Sequence, residues 1–113
     1  MHKIFDMSVE SVYRLYIAKV ERKGQPAELV PTVTCWLTGF TPSVLQKHLD
    51  ASSTFREFFA AATINPNAPL ITGVICGVRI EEIEDPLMQK IRYLDKLVDE
   101  VANGRPLEKV LRQ

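Results

Sequence analysis

The chain has 113 residues, of which 46% are hydrophobic and 25% are charged, and its 14 basic side chains balance its 14 acidic ones. Such a composition is that of an ordinary globular domain and excludes a disordered chain. The zero net charge excludes a field over the whole protein that would attract nucleic acid or an anionic membrane. No stretch approaches the roughly 20 continuous apolar residues of a membrane span. We therefore expect one domain over residues 1–113, with no membrane partner.

The two cysteines and two histidines give no sign of a metal or redox centre. Cys35 and Cys76 each lie among apolar residues, which favours a structural role for both as small buried side chains. His2 and His48 stand alone, without a second ligand at metal-binding spacing. The N-terminus lacks the apolar core of a secretory signal. We therefore predict a cytoplasmic protein and assign no cofactor.

The first half of the chain predicts four helices. Ser8 is a good N-cap for the first, and Gly24 closes it. Its apolar residues share one face: Val9, Val12, Tyr13, Tyr16, Ile17 and Val20. In the second, proline at position 31 predicts that the helix either begins there or bends there, because proline clashes with the preceding turn.

Gly39 ends that second helix, and Thr41 followed by proline opens a short third one. The fourth helix starts at Ser53 or Thr54, and Thr54 with Glu57 has the spacing of a capping box. We expect Tyr16, Trp36, Phe58 and Leu94 to lie in one core, because each sits on the apolar stripe of its own helix.

Residues 70–76 allow two interpretations. Ile71, Val74 and Ile75 are β-branched and suit a short buried strand, but Gly73 and the lack of a partner strand favour a short helix ended by Gly77. A single turn follows through residues 80–83. The longest helix is then predicted over 86–102, and a short one follows Pro106. The sequence thus predicts an all-α fold of about six helices.

Four separated segments are distinctive: SVYRLYIAKVERKG, CWLTGF, ITGVICGVRIEEIEDPLMQKIRYLDKLVDEV and RPLEKVLR. Together they resemble a bacterial family known as domain of unknown function 2200. The resemblance covers nearly the whole chain. It implies a small stand-alone bacterial protein, and it brings no activity, ligand or catalytic residue.

An internal similarity predicts two pairs of helices joined by a glycine turn. A shift of 38 residues lays WLTGF at 36–40 on VICGV at 74–78, with glycines at 39 and 77. Helix-turn-helix units have such a turn, and in the first copy the nucleic-acid contacts would be Gln46, Lys47 and His48. The acidic residues that follow Gly77 would repel phosphates. The alternative is that any two helices closed by glycine look alike.

Acidic residues cluster before the longest helix, at positions 81, 82, 84 and 85. Oxygen-rich cation loops space their ligands around a glycine turn, which this cluster lacks. We interpret it as a solvated face that complements the helix dipole. No phosphate-binding glycine loop, nucleophile elbow or zinc-helix motif is present.

Three function classes follow. The leading one is a protein-interaction or self-association module, because the longest helix carries a broad apolar face typical of association surfaces. The predicted homodimer interface comprises Leu87, Met88, Ile91, Leu94, Leu97, Val98 and Val101. The same stripe would alternatively pack on the first helix. A helix-turn-helix-like nucleic-acid-binding regulator is the second class. An enzyme or small-ligand binder is the third, with no catalytic or metal-binding residue assigned.

Overall fold

The computed structural model describes residues 2–113, and six α-helices form most of this part of the chain. They are α1 (Val9–Arg22), α2 (Leu29–Thr38), α3 (Pro42–Asp50), α4 (Phe55–Ala61), α5 (Pro86–Ala102) and α6 (Leu107–Val110). Single 3-10 turns lie at Lys3–Asp6, Ala68–Leu70 and Ile80–Glu82. The predicted all-α class, the six helices and the position of the longest helix are confirmed.

Local capping chemistry sets the helix ends. Thr54 and Glu57 form the predicted capping box at α4, and Gly39 ends α2 in the left-handed region with φ of 75°. The helix α2 begins at Leu29, so the expectation that it starts at Pro31 is wrong, and the helix continues through the proline to Thr38. Pro31 therefore lies in the first turn, where a backbone N–H has no partner within the helix.

The starts of α1 and α4 are joined by their backbones. The N–H of Val9 donates to the carbonyl of Ser53 at 2.8 Å, and the N–H of Phe55 donates to that of Met7 at 3.1 Å. Val9 and Phe55 are the first residues of their helices, and their N–H groups have no acceptor within the helix. The residue before the N-cap of each helix thus supplies the acceptor for the first N–H of the other helix, and the two starts are fixed side by side.

Helix α5 is the centre of the packing. It lies against α1, α2, α4 and α6, and its residues Ile91, Leu94 and Leu97 are fully buried. Tyr16 and Phe58 belong to the same buried cluster, and Trp36 packs against it from a half-buried position. The expected common core is therefore confirmed, with Trp36 at its margin.

A row of polar contacts joins α1 to α5. The hydroxyl of Tyr16 donates to Oδ1 of Asp95, and Lys19 Nζ lies 2.9 Å from Oδ1 of Asp99. Residue numbers rise together on the two helices, so α1 and α5 run parallel to each other. The contacts repeat at one-turn intervals and fix the register between the two helices.

Ion pairs with Glu100 of α5 hold the last helix, α6, in place. Glu100 is buried, and its Oε2 accepts hydrogen bonds of 2.8 Å from both Arg105 and Arg112. Arg112 also donates to the carbonyl of Val110. The pairing compensates for burial of the carboxylate and ties the end of the chain to α5.

Residues 74–79 form a β-hairpin, so the short helix predicted before Gly77 is wrong. Strand β1 (Val74–Ile75) pairs antiparallel with β2 (Val78–Arg79). Cys76 and Gly77 have φ of 52° and 77°, the sign pattern of a type I′ turn, which suits the twist of a hairpin. The predicted helix pair around residue 77 is therefore absent. The strand interpretation is the correct one for Val74 and Ile75, because a partner strand follows directly after the two-residue turn.

The central position of α5 predicts the cost of truncating its core side chain. Leu94→Ala should lower the free energy of unfolding by about 2–5 kcal/mol, because a fully buried leucine leaves a cavity. The matched control is Leu15→Ala on α1, where the leucine is 67% exposed and the expected change is within about 0.5 kcal/mol. Urea unfolding of both variants provides the measurement, and equal losses would contradict the assignment of Leu94 to the core.

Candidate functional site

The hairpin turn meets α1 and α5 at a group of polar side chains, Tyr16, Cys76, Arg92 and Asp95, which we call the hairpin junction. Oδ1 of Asp95 accepts from the Tyr16 hydroxyl, and Oδ2 accepts from Arg92 Nη1 at 2.7 Å. The Sγ of Cys76 lies 3.8 Å from the same Oδ2. Three segments of the chain therefore converge on one carboxylate.

Raised pKa values keep the phenol of Tyr16 and the thiol of Cys76 protonated, which suits hydrogen bonding between the segments of the hairpin junction. Burial, followed by the charge and hydrogen bond of Asp95, raises the pKa of Tyr16 well above its usual value. Cys76 is exposed as a residue, yet partial burial of its sulfur and then the charge of Asp95 raise the pKa of its thiol. A protonated thiol is a poor nucleophile. Both carboxylate oxygens of Asp95 accept hydrogen bonds from groups of this chain.

One further side chain, that of Lys96, positions the hairpin junction. Lys96 Nζ donates to the carbonyl of Val74 at 3.1 Å and so holds β1 against α5. The Nε of Arg92 is buried without a hydrogen-bond partner among the described residues.

The prediction that Cys76 is a buried side chain is wrong, because it occupies the exposed hairpin turn, whereas Cys35 is half-buried and packs against the core.

The hairpin segment, residues 70–79, exposes three large apolar side chains. Leu70 is 58% exposed, Val74 51% and Val78 39%. The N–H of Ile80 donates to the carbonyl of Gly73 at 2.9 Å, and Arg79 stands opposite Val74, so the backbone groups of Arg79 point away from β1. β2 is therefore the outer edge of the hairpin, whereas the outer carbonyl of β1 is taken by Lys96.

The predicted interface on α5 lies inside the chain. Met88, Ile91, Leu94, Leu97, Val98 and Val101 are buried, and Leu87 is half-buried. These side chains pack against α1, α2 and α4, so the alternative in which the stripe is intrachain core describes their position. The six buried side chains offer no surface to a second chain unless the protein unfolds. The expectation that a partner helix is needed to cover them is corrected accordingly.

The three predicted nucleic-acid contacts lie on α3 but are not equivalent. Gln46 is exposed, and its amide donates to Asp50 at 2.8 Å. His48 is half-buried, lies 2.9 Å from the hydroxyl of Ser53 and stacks on Phe40 with a centroid separation of 4.8 Å. Lys47 is exposed. The structure therefore brings Gln46 and Lys47 to the surface and uses His48 in packing.

The acidic cluster has individual structural roles. Oδ1 of Asp85 accepts from the N–H groups of Leu87 and Met88 at 2.9 and 3.0 Å, as an N-cap. Glu81 accepts from the N–H of Gly73 at 3.0 Å, and this hydrogen bond lowers the pKa of its carboxyl. Within residues 2–113 no three His, Cys, Asp or Glu side chains are grouped to hold a metal ion. None of the helices in this range has the length and apolarity to cross a membrane.

Sequence reasoning missed the hairpin junction because its members come from three distant segments. One local signal was present: a two-residue Cys-Gly turn lies between the β-branched residues Ile75 and Val78. An X-Gly pair flanked by such residues is typical of a type I′ hairpin. The contacts of Tyr16 and Arg92 with Asp95 had no comparable signal.

Fold and site together define a small, mainly helical protein with a docked β-hairpin. A family model described as "Uncharacterized protein conserved in bacteria (DUF2200)" matches residues 3–112, and the chain belongs to this family. A solved structure, "Crystal structure of uncharacterized protein SP1917", is 52% identical, covers 98% of this chain and 93% of its own, and has a TM-score of 0.92. Among curated proteins, none matches.

The hairpin junction predicts unequal effects for two tyrosine hydroxyls. Tyr16→Phe removes a buried hydrogen bond to a carboxylate and should cost about 1.5–3 kcal/mol of unfolding free energy. Tyr13→Phe is the control, because Tyr13 is half-buried and its hydroxyl has no hydrogen bond within the described residues. Denaturant unfolding measures both. If Tyr13→Phe cost as much as Tyr16→Phe, the bond to Asp95 would not be the cause.

The tyrosines also predict a loss of stability in alkali. Burial raises the pKa of Tyr13 to about 12 and also raises those of Tyr16 and Tyr93. Tyrosine in an unfolded chain ionises near about pH 10. Above that pH the unfolded state binds fewer protons than the folded state, so stability falls as pH rises through the folded pKa values. Phenolate absorbance should therefore appear together with loss of helical circular dichroism. Full ionisation near pH 10 with intact helices would contradict this expectation.

Proposed function

We propose that the protein is a self-association module and that its homodimer forms through the hairpin segment rather than through α5. The observation that carries the proposal is the exposure of Leu70, Val74 and Val78 within ten residues. The register places Val78 on the same face as Ile75 and Val74 on the opposite face, so exposed apolar side chains lie on both faces of the hairpin. Exposed apolar surface of this kind is typical of protein contact sites. The occupant that we propose is a second copy of this chain.

The outer edge of the hairpin supports that choice. A two-stranded sheet with two residues in each strand is marginal by itself, and pairing of two β2 edges would extend it to four strands. Unpaired N–H and carbonyl groups on an edge strand favour such pairing. Lys96 occupies the edge of β1, so β2 is the side available for a symmetric contact.

Charges next to β2 suit an identical partner. Arg79 lies 3.9 Å from Glu81 and 3.8 Å from Glu82, and all three side chains are exposed. A symmetric contact brings the same surface of both copies together, so it needs charges of both signs in that surface. Loose pairs of this kind can be exchanged between two protomers at little cost. The zero net charge of the chain also removes a barrier to association.

A nucleic-acid-binding regulator is the second candidate, on the observation that α2 and α3 flank Gly39 in the left-handed region. The exposed side of α3 contains Lys47 together with Asp50, and the carboxylate would weaken contact with phosphates. A mobility shift with duplex DNA that fades as salt rises would favour this candidate over self-association alone.

We also propose a cytoplasmic location, which free thiols at both cysteines support.

The homodimer proposal predicts masses in solution. Light scattering over a concentration series should give a mass that rises from 12.8 kDa to twice that value. Val78→Asp should keep the mass at 12.8 kDa, because a carboxylate at the edge opposes burial of the contact. The matched control is Leu15→Asp, which places the same charge at another exposed apolar position, on α1, and should leave the dimer intact.

Circular dichroism of both variants separates a lost contact from a lost fold. Helical spectra equal to that of the unmodified protein are expected, since both positions are exposed. An unmodified protein that stays at 12.8 kDa at the highest concentration would contradict self-association. If Val78→Asp remains dimeric with a normal spectrum, the dimer uses a surface other than the hairpin segment.

A further inference from the structure

Residues 105–112 pack on the end of α5 as a short segment, which we call the C-terminal strap. The single helical turn of α6 lies at its centre, with Arg105 before this turn and Arg112 after it. The main packing neighbour of α6 is α5. The strap shares no residue with the hairpin segment and therefore does not depend on self-association.

The backbone of the strap is bonded mostly to itself. The N–H groups of Lys109 and Val110 donate to the carbonyl of Pro106, at 2.9 and 3.1 Å. The N–H of Arg105 donates to the carbonyl of Glu100 at 3.1 Å, and within residues 2–113 no other backbone hydrogen bond joins the strap to the rest of the chain. The backbone of the strap can therefore leave α5 at the loss of one such bond.

The polar side chains of the strap converge on one carboxylate. Arg105 and Arg112 each donate to Oε2 of Glu100 at 2.8 Å, and Arg112 also donates to Oε1. Across the described part of the chain, these are the only side-chain hydrogen bonds and ion pairs between the strap and other segments. Glu100 thus holds both ends of the strap at one point. Loss of its charge would leave two neighbouring guanidinium groups without their counter-charge.

The apolar contacts of the strap come from one side of its helical turn. Val110 is fully buried, and Leu107 and Leu111 pack against the core from half-buried positions. Their spacing of three and four residues places them on the same face of the turn. A helix of one turn is unstable by itself in water, so α6 forms only while this face is docked. Docking and folding of the strap are therefore one event.

We propose that the C-terminal strap is a conformational device that opens as one unit while the rest of the fold stays intact, and that Glu100 keeps it closed. Opening withdraws Val110 from the core, uncovers the surface against which it packs and releases both arginines. Segments with few ties to the rest of a protein open at a lower free energy than that of global unfolding. The strap has such ties, because they depend on one carboxylate and one face of a single turn.

Amide hydrogen exchange followed by NMR tests whether the strap opens separately. In the unmodified protein, the N–H groups of Val110 and Leu111 should be less protected than those of Ile91 and Leu94 in α5. Leu94→Ala lowers the stability of the whole fold, so it should reduce the protection of α5. It should leave the strap amides unchanged, because the state with an open strap keeps the packing of residue 94.

A pair of glutamate variants tests the role of Glu100. Glu100→Gln should speed exchange of the strap amides about 10- to 100-fold, as expected for loss of hydrogen bonds to a charged group. Glu108→Gln is the matched control, because Glu108 is exposed on α6 and has no ion pair within residues 2–113. It should change exchange less than about twofold. If Glu100→Gln does not fold, Arg105→Gln replaces it, since Arg105 is partly exposed and its loss leaves Arg112 on Glu100.

Two results would overturn the proposal. Strap amides that are as protected as those of α5, and that lose protection together with them in Leu94→Ala, would show that the strap opens only when the whole protein unfolds. Equal strap exchange in the Glu108→Gln variant and in the variant that weakens the Glu100 contacts would show that this carboxylate does not keep the strap closed.

Discussion

Burial of the broad apolar face of α5 is the constraint on which the rest of the structure depends. Ile91, Leu94 and Leu97 are fully buried, and burial of such a side chain contributes about 1.5–3 kcal/mol each. These three directions span about a third of a turn around the helix, and the buried Met88 and Tyr93 widen the covered face to more than about half a turn, so one neighbouring helix could not cover it. The chain therefore surrounds α5 with α1, α2, α4 and α6.

The polar edge of α5 determines what can dock beside it. Asp95, Lys96 and Asp99 lie on the side that the apolar neighbours leave uncovered, and each has a partner on another segment. Asp95 and Asp99 bind α1, whereas Lys96 holds the carbonyl of Val74. The same helix thus fixes both the register of α1 and the position of the hairpin. This arrangement explains why a hairpin of two-residue strands is ordered without a larger sheet.

Features determined by local chemistry could be predicted from the sequence. The N-caps at Ser8 and Thr54 and the stop at Gly39 involve only neighbouring residues, and each lies where the pattern indicated. The hairpin was not predicted because Cys76 adopts a positive φ, which is uncommon for a residue other than glycine. The contacts of Cys76 with Asp95 and of Val74 with Lys96 tie the hairpin to α5 and compensate for that conformation. Such contacts between distant segments cannot be read from the periodicity of the sequence.

The prediction of a dimer interface on α5 was wrong for a different reason. A stripe such as Leu94 with Val98 looks the same whether its cover comes from the same chain or from another one. The number of helices around α5 decides between the two cases, and that number is a property of the whole fold. The predicted contacts Gln46 and Lys47 on α3 illustrate the opposite situation: they do reach the surface, but exposure alone assigns no ligand.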